Sequence, residues 1–242
     1  MRYAVLLSGQ PRYFEIGYNH IKKSILDING PADIFIHAWI DEFSGCEYDC
    51  AIWNKGQIDS PKPGDINKIL DLYKPKSFIF EKPKTFLQPR DYSSRKGDHA
   101  QHIAQSMFWS IKESNRLKSI HELNNCFKYD WVFRLRFDSA FRKDVILSNF
   151  NNSGLYLHNN RQTNPGSPKW SYTDQVAFGN SWDMDLYSDI YSFLDRYWLY
   201  DGVAYTQEEL LGVHLNKNRV NVCPIDMQFG LIRGENAIQW IS

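Results

Sequence analysis

The sequence predicts an α/β fold: one compact domain with a mostly parallel central sheet flanked by helices. Three observations lead there. Apolar runs of strand length alternate with stretches of helical period through the first 80 residues. The chain has 242 residues, a length that one α/β domain occupies. Its 43% apolar content, with 15 Phe, 14 Tyr and 8 Trp, builds a core large enough to offset the entropy of ordering the backbone.

In chain order, Ala4 to Leu7 read as a short buried strand ended by Ser8-Gly9. Phe14, Tyr18, Ile21 and Ile25 follow at spacings of four, three and four, the apolar stripe of an amphipathic helix. Asp33 to Trp39, centred on Ile34-Phe35-Ile36, is a second strand. A short helix carrying Ile66, Ile69, Leu70 and Tyr73 leads to a third strand at Ser77 to Phe80. Strand, helix, strand, helix, strand is the pattern of a doubly wound parallel sheet.

The stretch from Glu81 to Asp98, with Pro83, Pro89 and many charges, reads as a long loop, a kind that is often functional. A long helix, roughly His99 to Leu123, comes next, with Ile103, Met107, Ile111, Ser114 and Leu117 along one face. It is followed by Tyr129 to Asp138. Strand alternation puts Trp131, Phe133, Leu135 and Phe137 on one face and Val132, Arg134, Arg136 and Asp138 on the other. Buried charges of this kind must pair with each other, reach a ligand or face solvent. The opposite face is wholly apolar, as in an interior strand, which favours a ligand over a solvated edge. Guanidinium forks match phosphate oxygens, and a carboxylate can hold a divalent cation that bridges a diphosphate.

Composition narrows the partners. Lys plus Arg equals Asp plus Glu at 28 each, so there is no electrostatic footprint for nucleic acid or an anionic membrane. Cys46, Cys50, Cys126 and Cys223 suit neither a zinc signature nor a disulfide scaffold. A reduced, cytoplasmic protein is the expectation. The apolar run after Arg2 is too short for a signal peptide, and no stretch approaches a transmembrane span.

Five segments carry a resemblance: Leu7 to Arg12, Asp33 to Trp39, Tyr129 to Asp138, Asp174 to Gly179, and Glu208 to Leu215. In this order they resemble bacterial and viral surface-polysaccharide glycosyltransferases of GT-A type. The resemblance implies a Rossmann-like, nucleotide-sugar-binding half at 1–138 and an acceptor-binding half at 139–242. It also implies a nucleoside-diphosphate-sugar donor and a carbohydrate acceptor. Ser8, Gly9 and Arg12 would contact the nucleotide. Asp138 would take the last acidic position of the family's Asp-x-Asp metal motif, but Arg136 stands at the first. Either Mn²⁺ or Mg²⁺ is held by Asp138, the diphosphate and His214, or Arg134 and Arg136 supply the positive charge themselves.

Two carboxylates are catalytic candidates. Asp174 follows a Gly/Pro/Asn-rich stretch, Asn159 to Ser171, that reads as a loop over a site; its alternative role is to cap a turn. Thr206 and Glu209 form a capping box, which leaves Glu208 to touch acceptor hydroxyls, act as base, or stabilise the helix dipole. Gln105 and Trp109 share a helix face, where they hold the donor sugar or pack in the core. The competing function is a nucleotide- or sugar-binding protein of the same fold that has lost catalysis.

Overall fold

The apolar runs become strands β1 (Tyr3–Gly9), β2 (Asp33–Trp39), β3 (Ser77–Glu81) and β4 (Trp131–Leu135) in the computed structural model. These four pair in parallel, with β1 between β2 and β4 and β3 outside β2. The structure describes residues 1–43, 59–86, 98–158, 172–203 and 206–241, with the backbone alone for 98–101. Cys46, Cys50, the Asn159 to Ser171 stretch and most of the loop after Glu81 lie outside the described residues.

Three more strands extend the sheet: β6 (Leu155–His158), β7 (Ala177–Gly179) and β8 (Val222–Ile225). The order is β3-β2-β1-β4-β7-β6-β8. β7 runs antiparallel to both β4 and β6, while β8 is parallel to β6, so the sheet is mostly parallel. A second sheet of three strands joins β5 (Ser139–Phe141), β9 (Phe229–Gly234) and β10 (Ala237–Trp240) in the order β10-β9-β5.

Alternation along β1 explains the layers. Val5 and Leu7 point to one face, where Phe14 and Ile21 of α1 (Phe14–Ile21), the helix α3 (Asp65–Tyr73) and the small sheet pack. Between α1 and β2 the chain makes a π-helical turn, Lys22–Leu26, and a last helical turn, α2 (Asp27–Asn29). Ala4 and Leu6 point to the other face, against Ala104, Phe108 and Ile111 of α4 (Asp98–Asn124). That face also carries α5 (Ser181–Ser188), α6 (Leu194–Leu199) and α7 (Gln207–Lys217). Both faces of β1, β2 and β4 are therefore buried, as continuous apolar runs require. Among the described residues no helix is long and apolar enough to cross a membrane.

Connectivity sets the site. From β1 the chain moves outward to β2 and β3, then α4 carries it back to form β4 on the other side of β1. The direction of winding reverses between β1 and β4. Ligands of open α/β sheets bind beyond the carboxyl ends of the strands at such a switch point.

One expectation needs correction. The strand expected over Tyr129 to Asp138 spans only Trp131–Leu135, so Arg136 and Asp138 lie beyond its end. The cause is the second sheet. Arg136 N–H donates to Ser139 Oγ at 3.1 Å, and Ser139 N–H returns to the Arg136 carbonyl at 3.3 Å, turning the chain. Ser139 then pairs with Leu231 of β9. Gly17 of α1 lies directly against this crossing: a Cβ there would fall 1.7 Å from the Phe137 carbonyl oxygen.

Gly17→Ala should therefore cost about 1–3 kcal/mol, as overpacking against a backbone atom does. The urea midpoint should fall while the slope of the transition is unchanged; an unaltered midpoint would show that α1 is not clamped on the crossing.

Candidate functional site

Ser8 at the end of β1 and Arg134 at the end of β4 face each other across the switch point. Arg134 is 1% exposed. Its Nε donates to Ser8 Oγ at 3.2 Å, and its Nη1 donates to the Asp174 backbone carbonyl. The Tyr187 hydroxyl, from α5, donates to the same carbonyl at 3.3 Å. Both acceptors of Arg134 are neutral, and among the described residues no carboxylate lies at ion-pair distance from it. Burial pulls the Arg134 guanidinium below its ordinary value. Burial also raises the Asp174 carboxyl above the usual aspartate range, against the opposing pull of Arg134 and Arg136.

Past the end of β4, Asp138 gathers arginines. Arg136 grips it with a fork, Nε to Oδ1 at 2.7 Å and Nη2 to Oδ2 at 2.8 Å. Arg12, from the loop before α1, stands 3.5 Å from Oδ2, and Arg233 of β9 stands 3.7 Å from the same oxygen. Burial alone would raise the Asp138 carboxyl, but Arg136, Arg12 and Arg233 reverse that and hold it below the usual value. Burial would lower the Arg136 guanidinium, but the charge and hydrogen bonds of Asp138, together with the charge of Asp174, reverse that and raise it.

This arrangement does not fit the metal expected at Asp138 and His214. Both Asp138 oxygens accept from the Arg136 fork. A divalent ion about 5 Å from each guanidinium would meet a repulsion of about 7 kcal/mol per arginine at an effective dielectric near 20. His214 is buried on the opposite face, among α5, α6 and α7. Its Nε2 donates to the Leu186 carbonyl at 2.7 Å, so Nδ1 accepts from the Tyr197 hydroxyl at 2.8 Å and neither nitrogen is left for a metal. Among the described residues no three His, Cys, Asp or Glu side chains gather as a metal would require.

Gly9 ends β1 with φ at 107°, a left-handed conformation that favours glycine. Its N–H donates to Ser110 Oγ of α4 at 2.7 Å, and Ser110 Oγ lies 2.8 Å from His37 Nδ1. His37 Nε2 meets Glu81 Oε2 at 3.1 Å. Burial lowers the His37 pKa, so the neutral ring donates from Nε2 to Glu81 and accepts from Ser110 at Nδ1. Trp109 Nε1 donates to the same Glu81 oxygen at 3.2 Å, and Lys84 lies 4.6 Å over the Trp109 ring. Trp109 is half-buried in an aromatic cluster with Phe86 and Tyr191, whereas Gln105 is buried near the start of α4. Glu208 sits in the first turn of α7, where the Thr206 side chain accepts from the Glu209 amide at 3.4 Å, the Thr206 half of the expected capping box.

Ser8, Gly9, Arg12, Arg134, Arg136, Asp138 and Asp174 thus cluster at the strand ends, and His214 does not join them. Arg233, Ser110 and His37 enter the cluster without having been singled out in the sequence. For Arg233 the available signal was a lone arginine closing an apolar run, Phe229 to Ile232, between Gly230 and Gly234.

Because the folded-state pKa of Asp138 is depressed, its contribution to stability is complete above the ordinary aspartate range and is lost as pH falls through the depressed value. Asp138→Asn leaves three arginines beside a neutral amide and should cost about 3–5 kcal/mol at pH 7. Urea midpoints measured from pH 7 to pH 3 should show the variant less stable at neutral pH, with a shallower acid slope than the wild type. Parallel slopes would mean that Asp138 carries no such charge.

No protein-family model and no curated protein matches this sequence, so the chemistry of the cluster carries the functional reading.

Proposed function

We propose that this chain is a GT-A-like glycosyltransferase that moves a sugar from a nucleoside-diphosphate sugar to a carbohydrate acceptor, in building a surface polysaccharide on the cytoplasmic side of a membrane. The observation that carries the reading is the Ser8–Arg134 contact across the switch point, a buried guanidinium with neutral acceptors only. A buried cation at that position suits an anionic ligand, and a diphosphate supplies one.

In the reaction, the bond between the sugar's anomeric carbon and the diphosphate oxygen breaks, and its electron pair leaves with the diphosphate. Arg134 and Arg136 stabilise that developing charge, which is where a preorganised cation contributes most. The acceptor oxygen bonds to the anomeric carbon and gives its proton to Asp174. A carboxyl raised by burial, as this one is, is tuned towards such proton transfer. Ser8, Gly9 and Arg12 hold the nucleotide, Gln105 and Trp109 the donor sugar, and Glu208 orients the acceptor hydroxyls.

Consumption of a panel of nucleotide-sugars tests this. Arg134→Gln should lower turnover by about 10²–10³, the range seen when one transition-state donor is removed. The wild-type rate should fall on the acid side with an apparent pKa above the ordinary aspartate value, and Asp174→Asn should abolish that limb. Equal turnover by a folded Arg134→Gln protein would remove the assignment. A wild type that consumes no nucleotide-sugar yet binds the nucleoside diphosphate would be a binding protein that has lost catalysis.

A further inference from the structure

We propose that Arg12, Arg136 and Arg233, organised by the Asp138 carboxylate, form a metal-free diphosphate site, with Arg233 a ligand of the leaving group. The inference rests on the nucleotide-sugar reading and concerns how that site handles the diphosphate charge.

The geometry is layered. The Asp138 side chain is 1% exposed, whereas those of Arg12, Arg233 and Arg136 are 10%, 16% and 21% exposed. The carboxylate is the floor, and the guanidiniums stand between it and solvent. Three separate parts of the chain supply them: the loop after β1, the crossing after β4, and β9. Arg233 reaches Asp138 because the Ile232 amide donates to the Asp138 carbonyl at 2.8 Å, which brings β9 alongside the crossing. Arg233 Nε is held in turn by Gln239 Oε1 at 3.0 Å, which orients the fork.

A different cluster in this protein shows what an ionic knot between helices looks like. Between α4 and α5, Lys118 and Lys128 alternate with Glu122 and Asp185, two cations with two carboxylates. Among the described residues, three guanidiniums converge on one carboxylate around Asp138 instead. The crown also adjoins the switch point: Arg12 lies three residues beyond Gly9, and Arg136 two beyond Arg134. Several planar forks at one place are the donor set that matches phosphate oxygens. A divalent cation would have to displace the Arg136 fork to reach Asp138, and arginine charge takes over the neutralising role that the cation would have had.

The test is calorimetric titration of UDP, GDP and inorganic pyrophosphate in EDTA and in Mn²⁺, with wild type, Arg233→Ala and Arg233→Lys. At least one probe should bind in EDTA with an affinity within about twofold of that in Mn²⁺. Arg233→Ala should weaken it about tenfold or more, and Arg233→Lys should recover only part, because an ammonium replaces charge but not the fork. If the alanine variant does not fold, the lysine variant carries the comparison, with an expected loss of about threefold. Binding that appears only with Mn²⁺, wild-type affinity in a folded Arg233 variant, or no binding by any probe would overturn the inference. Probe binding in EDTA without nucleotide-sugar consumption would sink the transferase reading and leave the diphosphate site standing. Consumption that requires Mn²⁺ and ignores Arg233 would do the reverse.

Discussion

A carboxylate shielded from water stays ionised only when cations replace its hydration, and Asp138 takes one from Arg136, two residues away, and two from distant parts of the chain, Arg12 and Arg233. The crossing from the large sheet to the small one occurs at this residue, so the same interaction that neutralises Asp138 also fixes where the two sheets meet. Gly17 lets α1 close over the Phe137 carbonyl, and Ile232 ties β9 to the Asp138 carbonyl. Remove the charge balance at Asp138, and α1, β5 and β9 lose their common anchor.

The adjoining switch point depends on a second constraint. The return of the chain through α4 places β4 beside β1, and the ends of those strands bring Ser8 and Arg134 together. The helix contributes more than a connection: Ser110 holds the Gly9 amide and, through His37, links it to Glu81 and Trp109. Backbone geometry at the end of β1 is thereby set by a hydrogen-bonded network whose Ser110 and His37 are buried, and such networks fix one arrangement rather than several.

Much of this was readable in the sequence because it rests on local periodicity. The first three strands, their helices and the long α4 follow from apolar spacing, and Arg134 stands out as a charge on a buried strand. The end of β4 was not readable, since Phe137 continues the alternation and only the pairing of Ser139 with Leu231 ends the strand. Arg233 was hidden for the same reason: an antiparallel partner far along the chain brings it to Asp138. His214 shows a different limit. A histidine on a helix has the same chemistry whether it meets a metal or a core hydroxyl, and Tyr197 and the Leu186 carbonyl decide the matter here.

The central claim is that the strand ends around Ser8 and Arg134 bind a nucleoside diphosphate. Thermal unfolding against a panel of nucleoside diphosphates tests it most directly. A ligand at a hundred times its dissociation constant adds about 2.7 kcal/mol, which for a chain of this length raises the Tm by about 5–10 °C. The account predicts that shift for at least one member of the panel, and its loss in Arg134→Gln. A Tm that no nucleoside diphosphate moves would contradict it.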